Sequence, residues 1–384
     1  MSGTSFQKKT RAKVIQIQGT KPSLYNNQLL ISTGVPSLDN ALGGGLAVGT
    51  VFLVEEDTYG NYSRLLLKYY CAEAAMTGHA LMLTSADNDP EQMMKELPAA
   101  ILDDPGDTKA GGDQSAPQSD PMKIAWRYQN LPKVQGSPST VKFGHYYDLT
   151  KVMPTEIIGG SDVTLISADD FQEKLVCCES DHMNGRYWTL LQKIREKIEA
   201  GNFSTTKQID KRNILRIAIH SLGSPQWGEN AGYTDKGDID HSLPRFLYAL
   251  RALLRAAFGV CMITIPTHLF ENKAFIHRIH KLCDTVVQLE SFAGSEKEKN
   301  PVFAEYHGLF NIVQLPRLNS LLSHIPETYD LAFKLRRKKF MIEKLHLPPE
   351  LSDSASRPQE DPIANMKAKQ TGCMTDSKSS KLDF

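Results

Sequence analysis

The stretch VFLVEEDTYGNYSRLLLKYYCAEAA, residues 51–75, decides the fold class of this chain. A hydrophobic run, Val51 to Val54, leads into a turn at Gly60, and a helical pattern begins near Ser63. A strand, a glycine turn and a helix in this order form the frame of the phosphate-binding loop G-x-x-x-x-G-K-[ST]. The stretch therefore predicts an α/β fold in which a central strand leads directly into a helix.

The residues that carry phosphate chemistry are absent from this frame. Aligned on the loop pattern, Gly60 is the second glycine. Glu55 stands at the first glycine, Asn61 at the lysine and Tyr62 at the hydroxyl residue. A nucleotide site needs inward-pointing N–H groups and a lysine beside the β- and γ-phosphates, whereas residues 55–57 here bring three carboxylates. We therefore predict a degenerate phosphate loop at these four positions, with no bound cofactor.

The second nucleotide motif fails as well. It is an apolar strand that closes on a metal-orienting aspartate, and the strand at that place in the order is ILRIAIHSL, residues 214–222. His220 and Ser221 stand at its end instead. His220 is either a general base or a structural residue at a strand end, and the lack of a nucleophile or metal beside it favours the structural role. We predict no catalytic residue, no metal site and no enzymatic activity.

Strand and helix signals alternate along the rest of the chain. Continuous β-branched runs are typical of central strands buried on both faces, and they contribute to predicted strands at Thr50–Glu55, Ala80–Ser85, Asp162–Ile166, Asn213–His220, Val260–Ile265, Thr285–Glu290, Phe310–Leu315 and Leu331–Leu335. Apolar residues at helical spacing predict helices over Tyr187–Ala200 and from Leu243 to about Ala257. This alternation predicts a mostly parallel central sheet with helices on both faces.

Polar stretches set the predicted domain boundaries. Residues 1–24 are weakly basic and predict a disordered arm. One domain follows over residues 25–347, with a disordered Gly/Pro/Asp insertion near 103–120. Residues 348–384 are rich in Ser, Asp, Lys and Pro, and predict a disordered tail.

The composition favours an intracellular globular protein. The 384 residues carry zero formal net charge, which gives no global field toward nucleic acid. Six cysteines without a C-x-x-C pair indicate reduced, buried thiols. We see no signal peptide and no apolar run long enough to span a membrane, and we expect the cytosol or nucleus.

Two resemblances follow from the motifs. The leader ISTGVPSLDNALGGGLAVGTVFLV, residues 31–54, resembles the segment that feeds the phosphate loop in RecA-like ATPases. This leader, together with the degenerate loop, the aromatic and basic segment MKIAWRYQNL (122–131) and GSPQW (223–227), resembles the Elongator complex protein 4 family over roughly residues 25–347. The resemblance implies a RecA-like fold with degenerate nucleotide motifs.

The family resemblance also implies a function. Its members join Elongator complex proteins 5 and 6 in a hetero-hexameric ring that binds tRNA, docks on a larger catalytic subcomplex and supports carboxymethyl-type modification of wobble uridine at carbon 5. Another subunit carries the chemistry, and we expect cytoplasmic and nuclear localisation. The alternatives are an active RecA-type ATPase, or a protein–protein adaptor without RNA contact. Within a ring, the acidic turn at residues 55–57 either pairs with a neighbouring subunit's basic residues or is simply solvated.

The segment GSPQWGENAGYTDKGDID, residues 223–240, contains the candidate tRNA contacts. Trp227 and Tyr233 are candidate stacking platforms for bases, and Lys236 is a candidate phosphate partner. Against this, the segment's aspartates repel phosphate, and Trp227 has the alternative role of fixing the loop to the core.

A basic segment and several aromatic residues have two interpretations each. LAFKLRRKKF, residues 331–340, is either a phosphate-binding surface or an edge strand whose charges prevent aggregation, and we favour the edge strand. Trp126, Tyr128, Tyr146 and Tyr147 either stack on bases or belong to the core or an interface, and we favour the second role.

Overall fold

The structure is a computed structural model that describes residues 17–23, 28–101, 143–171, 183–207, 211–228, 240–322 and 324–346. The chain divides into two units, Met1–Leu345 and His346–Phe384, and only His346 of the second unit is described. The predicted insertion near 103–120, the predicted tail and the segment 122–131 therefore lie outside the described residues.

The described residues form fourteen strands and eight α-helices. The strands are β1 (Thr20–Pro22), β2 (Leu29–Ile31), β3 (Leu46–Ala47), β4 (Val51–Glu55), β5 (Ala80–Ser85), β6 (Pro98–Ala100), β7 (Tyr147–Val152), β8 (Val163–Ile166), β9 (Leu215–His220), β10 (Gly259–Ile265), β11 (Thr285–Ser291), β12 (Gly308–Gln314), β13 (Leu331–Leu335) and β14 (Phe340–Lys344). The helices are α1 (Pro36–Ala41), α2 (Asn61–Thr77), α3 (Pro90–Lys95), α4 (Thr155–Gly159), α5 (Gly185–Ala200), α6 (Ser242–Arg255), α7 (Lys273–Leu282) and α8 (Glu296–Lys299).

Nine of these strands form one central sheet, in the order β14-β13-β12-β11-β4-β10-β9-β5-β8. The six strands from β11 to β8 run parallel, and β12, β13 and β14 extend one edge as antiparallel strands. The carboxyl ends of the parallel strands meet along one edge, where ligands bind in open α/β sheets. The predicted α/β fold with a mostly parallel central sheet is confirmed.

Helices cover both faces of the sheet. Alternate side chains of a strand point to opposite faces, so one strand packs against both layers. Phe52 and Val54 of β4 pack into the hydrophobic cluster that contains α2. Val51 and Leu53 pack into the cluster formed with α5, α6 and α7. All four side chains are fully buried, and each contributes roughly 1.5–3 kcal/mol relative to exposure.

Two sequence expectations need correction. Part of the predicted disordered arm is structured, since Thr20–Pro22 pairs with β2 and Ile17 is buried. The basic segment is not an edge strand, because β13 lies between β12 and β14, and its exposed basic residues Arg336–Lys339 form the turn of the β13–β14 hairpin. The second strand of this hairpin, β14, was not predicted, because its sequence FMIEK lacks the continuous apolar run of the predicted strands.

Within the described part of the chain, we find no helix with the length and apolar character needed to cross a membrane.

Candidate functional site

The leader before the loop is folded around one buried carboxylate. Asp39 of α1 accepts hydrogen bonds from Ser32 Oγ, from Thr33 N at 2.8 Å and from Thr33 Oγ1 at 2.7 Å. Burial raises the pKa of Asp39 to about 6, although these donors act in the opposite direction. Gly34 has a φ of +87°, and a Cβ there would lie 2.4 Å from the carbonyl oxygen of Tyr69. The leader motif therefore ties β2 and α1 closely to α2.

The phosphate position of the loop is filled by the chain's own carboxylate. Asp57 is only 1% exposed. Its side chain accepts the backbone N–H groups of the first three residues of α2: Asn61 at 3.2 Å, Tyr62 at 3.0 Å and Ser63 at 3.1 Å. A helix leaves these donors unpaired, and its dipole favours an anion beside them. Asp57 therefore occupies the position that a phosphate group takes in a nucleotide-binding loop.

Gly60 allows the loop to turn back in this way. It lies immediately before α2 with a φ of +65°, in the left-handed region that glycine adopts without steric cost. Its N–H donates to the carbonyl oxygen of Asp57 at 2.8 Å, which closes a tight turn around that residue. The glycine of the degenerate motif thus retains a conformational role after the phosphate chemistry is lost.

The other two acids of the turn are also buried and have partners within the chain. Glu55 Oε1 lies 2.9 Å from His280 Nε2, and Glu55 Oε2 accepts from Thr267 Oγ1 at 2.8 Å. Glu56 accepts from Thr264 Oγ1 at 2.6 Å, and burial raises the pKa of Glu56 to about 7. The solvated acidic turn that the sequence allowed is therefore wrong, because all three carboxylates are buried and Glu55 lies beside His280 of its own chain.

The residues at the positions of the lost lysine and hydroxyl residue supply no phosphate-binding side chain. The Tyr62 ring lies 4.7 Å from the Phe333 ring, centroid to centroid, so it packs on β13. Asn61 is exposed and contributes its backbone N–H to Asp57. These contacts explain why the strand, turn and helix persist without a phosphate-binding side chain at either position.

The end of β9 is held by polar contacts. His220 Nδ1 lies 3.2 Å from Ser85 Oγ, which also accepts the N–H of Asn88 at 3.0 Å. Burial lowers the pKa of His220 to about 4, so the ring is neutral at physiological pH. Ser224 Oγ donates to Asp87 at 2.6 Å, so that carboxylate orients the loop after β9. In the described residues, no group of three or more His, Cys, Asp or Glu side chains is arranged to hold a metal ion.

A cavity of about 430 Å³ remains beside the loop, at the carboxyl ends of β4, β5, β9 and β10. Glu56 and Asp87 line it, and Arg64 is the one arginine or lysine among its described lining residues. A triphosphate needs several N–H donors and cations that neutralise its oxygens. Here the N–H groups at the start of α2 are bonded to Asp57, so the cavity lacks the chemistry of a nucleotide site.

The proposed tRNA contact at Trp227 needs correction. The side chain is 0% exposed and lies between the rings of Phe171, at 5.3 Å, and Tyr187, at 5.9 Å. It therefore fixes the loop after β9 to the core and offers no face to a base. Tyr233 and Lys236 lie outside the described residues.

Asp57 is the residue that sequence reasoning missed. In sequence it is one of three consecutive acids, yet it alone lies where its carboxylate reaches the start of α2. The available signal is its position, since a carboxylate near the start of a helix is favoured by the helix dipole.

This chain is similar to known proteins over most of its length. The family model described as PAXNEB protein matches residues 13–384. The chain is 50% identical to Elongator complex protein 4 of Danio rerio, over 94% of this chain and 92% of that protein. It is 48% identical to Elongator complex protein 4 of Homo sapiens, over 94% and 89%. A solved KaiC-like protein from Pyrococcus horikoshii is 12% identical, with a TM-score of 0.44, over 82% of this chain and 98% of that one.

Proposed function

The chain belongs to the Elongator complex protein 4 family, and from this premise we propose that it is a non-catalytic subunit of the Elongator complex that supports wobble-uridine modification in tRNA. The modification is of the carboxymethyl type at carbon 5. The partners are Elongator complex proteins 5 and 6 in a hetero-hexameric ring, which binds tRNA and docks on the larger catalytic subcomplex. The protein works in the cytoplasm and nucleus.

The observation that carries the non-catalytic role is the position of Asp57. Its carboxylate is bonded to the N–H groups that a phosphate would need, and no lysine stands at Asn61. An active RecA-type ATPase, the main alternative, would have to displace a buried anion with a more highly charged one. Like charges at one site repel strongly in a buried environment, which disfavours this alternative.

Exposed side chains beside the cavity support the ring assembly. Tyr59 is 62% exposed and Leu269 is 41% exposed, and both line the cavity at the former nucleotide site. Exposed apolar residues grouped with polar ones favour a protein contact. A neighbouring ring subunit packed across this edge of the sheet would cover both side chains.

We expect the chain to assemble only with its partners. Because partner binding stabilises the folded state by mass action, co-expression with Elongator complex proteins 5 and 6 should give a hexamer-sized species and raise the thermal midpoint of the chain. Size-exclusion chromatography with light scattering measures the first effect. A chain that stays monomeric in the presence of both partners would contradict the proposed ring.

A further inference from the structure

The charges of the chain are distributed unevenly, although they sum to zero over the whole sequence. Helices α6 and α7 contain no aspartate or glutamate. Helix α6 carries three arginines, and α7 carries one arginine and two lysines: Arg245, Arg251, Arg255, Lys273, Arg278 and Lys281. The two helices pack side by side on the same face of the sheet. A local positive field of this kind attracts anions even in a protein without net charge.

Nearby acids neutralise only part of this positive charge. Asp284, just after α7, pairs with Arg251 at 2.7 Å and with Arg255 at 2.6 Å. Asp240 lies at the start of α6 and accepts the N–H of Ser242 at 2.8 Å, and Glu271 lies in the loop before α7. Within the described residues, Lys273, Arg278 and Lys281 form no ion pair and are exposed. Excess positive charge therefore remains on the α7 side.

An exposed aromatic ring lies within this basic surface. Tyr248 of α6 is 70% exposed. It lines a groove of about 460 Å³ together with His241, Pro244, Arg245, Arg278 and Leu282. Arg278 Nη1 lies 3.3 Å from His241 Nδ1, which brings its guanidinium group across the groove toward α6. The groove thus combines an apolar base with an aromatic ring and two guanidinium groups.

We propose that this α6–α7 face, formed by Arg245, Tyr248, Lys273, Arg278 and Lys281, binds an unpaired stretch of tRNA. Tyr248 stacks on one base, and the guanidinium group of Arg278 binds a neighbouring phosphate. The inference rests on the proposed function, since it locates an RNA contact of the ring on this chain.

The combination of groups favours RNA over an acidic protein segment. Both ligands would satisfy the positive charge. Single-stranded RNA also presents flat bases, which stack on tyrosine rings and on guanidinium planes. An exposed tyrosine in the same groove as Arg278 fits that alternation of base and phosphate, whereas acidic side chains engage only the positive charges.

Fluorescence anisotropy of labelled tRNA on the assembled ring, at two salt concentrations, tests the inference. We expect Tyr248→Ala to weaken binding about tenfold, because base stacking is lost. Tyr248→Phe keeps the ring face and should bind as the unmodified protein does. Arg278→Ala should reduce the slope of log affinity against log salt by about 0.7–1, the value for one phosphate contact.

Matched controls separate this face from a general loss of charge or surface area. Trp188→Ala removes an exposed aromatic residue from α5, and Lys338→Ala removes a cation from the β13–β14 turn. If tRNA affinity is unchanged in Tyr248→Ala and Arg278→Ala, or changes equally in the controls, the inference is wrong while the proposed function stands. If these variants no longer join the ring, the face is a protein contact and the inference is also wrong. A wild-type ring that fails to bind tRNA overturns both proposals.

Discussion

Cells that lack this protein are expected to lose nearly all carboxymethyl-type modification of wobble uridines in their tRNA. A closed ring of alternating subunits cannot form when one of its components is missing, so the loss should be close to complete rather than graded. The catalytic subunit should remain present, because in the proposed complex it is a separate chain.

Mass spectrometry of total tRNA nucleosides measures the modification, and quantitative proteomics measures the catalytic subunit. Re-expression of the Arg64→Ala variant is the informative control. Arg64 supplies the cation of the cavity beside the loop, and a ring scaffold should restore modification without it. Normal modified-uridine levels in the null cells would remove the functional proposal.

Replacing Asp57 by alanine is expected to lower the free energy of unfolding by about 2–4 kcal/mol. The change removes the acceptor for three N–H groups at the start of α2, and loss of a helix cap costs about 0.5–2 kcal/mol. Leaving a buried donor unpaired adds about 1–3 kcal/mol. Denaturant titration of the purified chain measures the change.

Two substitutions calibrate this expectation. Asp89 caps the short helix α3 through a single bond, 3.0 Å long, to the N–H of Glu91 and is exposed, so Asp89→Ala should cost only about 1 kcal/mol. Asp57→Asn keeps one acceptor oxygen but loses the charge. Its loss of unfolding free energy should lie between those of Asp89→Ala and Asp57→Ala. An Asp57→Ala variant no less stable than Asp89→Ala would show that the carboxylate does not hold the loop.

The central sheet could be predicted because most of its strands are recognisable from their own residues alone. The run ALMLTS gives β5 with the predicted bounds, and LAFKL gives β13 likewise. The apolar stripe of Tyr187–Ala200 gives all but the first two residues of α5. In each case burial on one or both faces dictates the composition, so the pattern can be read without knowing the partners.

The site could not be predicted because side-chain direction there depends on contacts between distant segments. Trp227 belongs to a glycine-rich loop by composition, and only the approach of Tyr187 from α5 shows that it is buried. Arg216 interrupts an apolar strand, yet it is fully buried, with Nε donating to His79 at 3.0 Å and Nη1 donating to the Ser32 carbonyl oxygen at 2.7 Å. Burial lowers the pKa of His79 to about 3, which keeps that ring a neutral acceptor.

The functional consequence of Asp57 follows from the same kind of contact. Three consecutive acids look equivalent in sequence, but the turn at Gly60 directs only Asp57 toward α2. Glu55 and Glu56 point instead to β10, β11, α7 and the adjoining loops. The loop before α2 therefore acts as a structural element in which Asp57 supplies the anion at the start of the helix.

Calorimetric titration of Mg²⁺·ATP into the purified chain, followed by a phosphate-release assay, tests this self-filled loop most directly. We expect no saturable heat and no phosphate release above that of the Arg64→Ala variant, because the N–H groups that would hold the phosphates are bonded to Asp57. Saturable ATP binding to the chain alone, weakened by Arg64→Ala and accompanied by phosphate release, would contradict it.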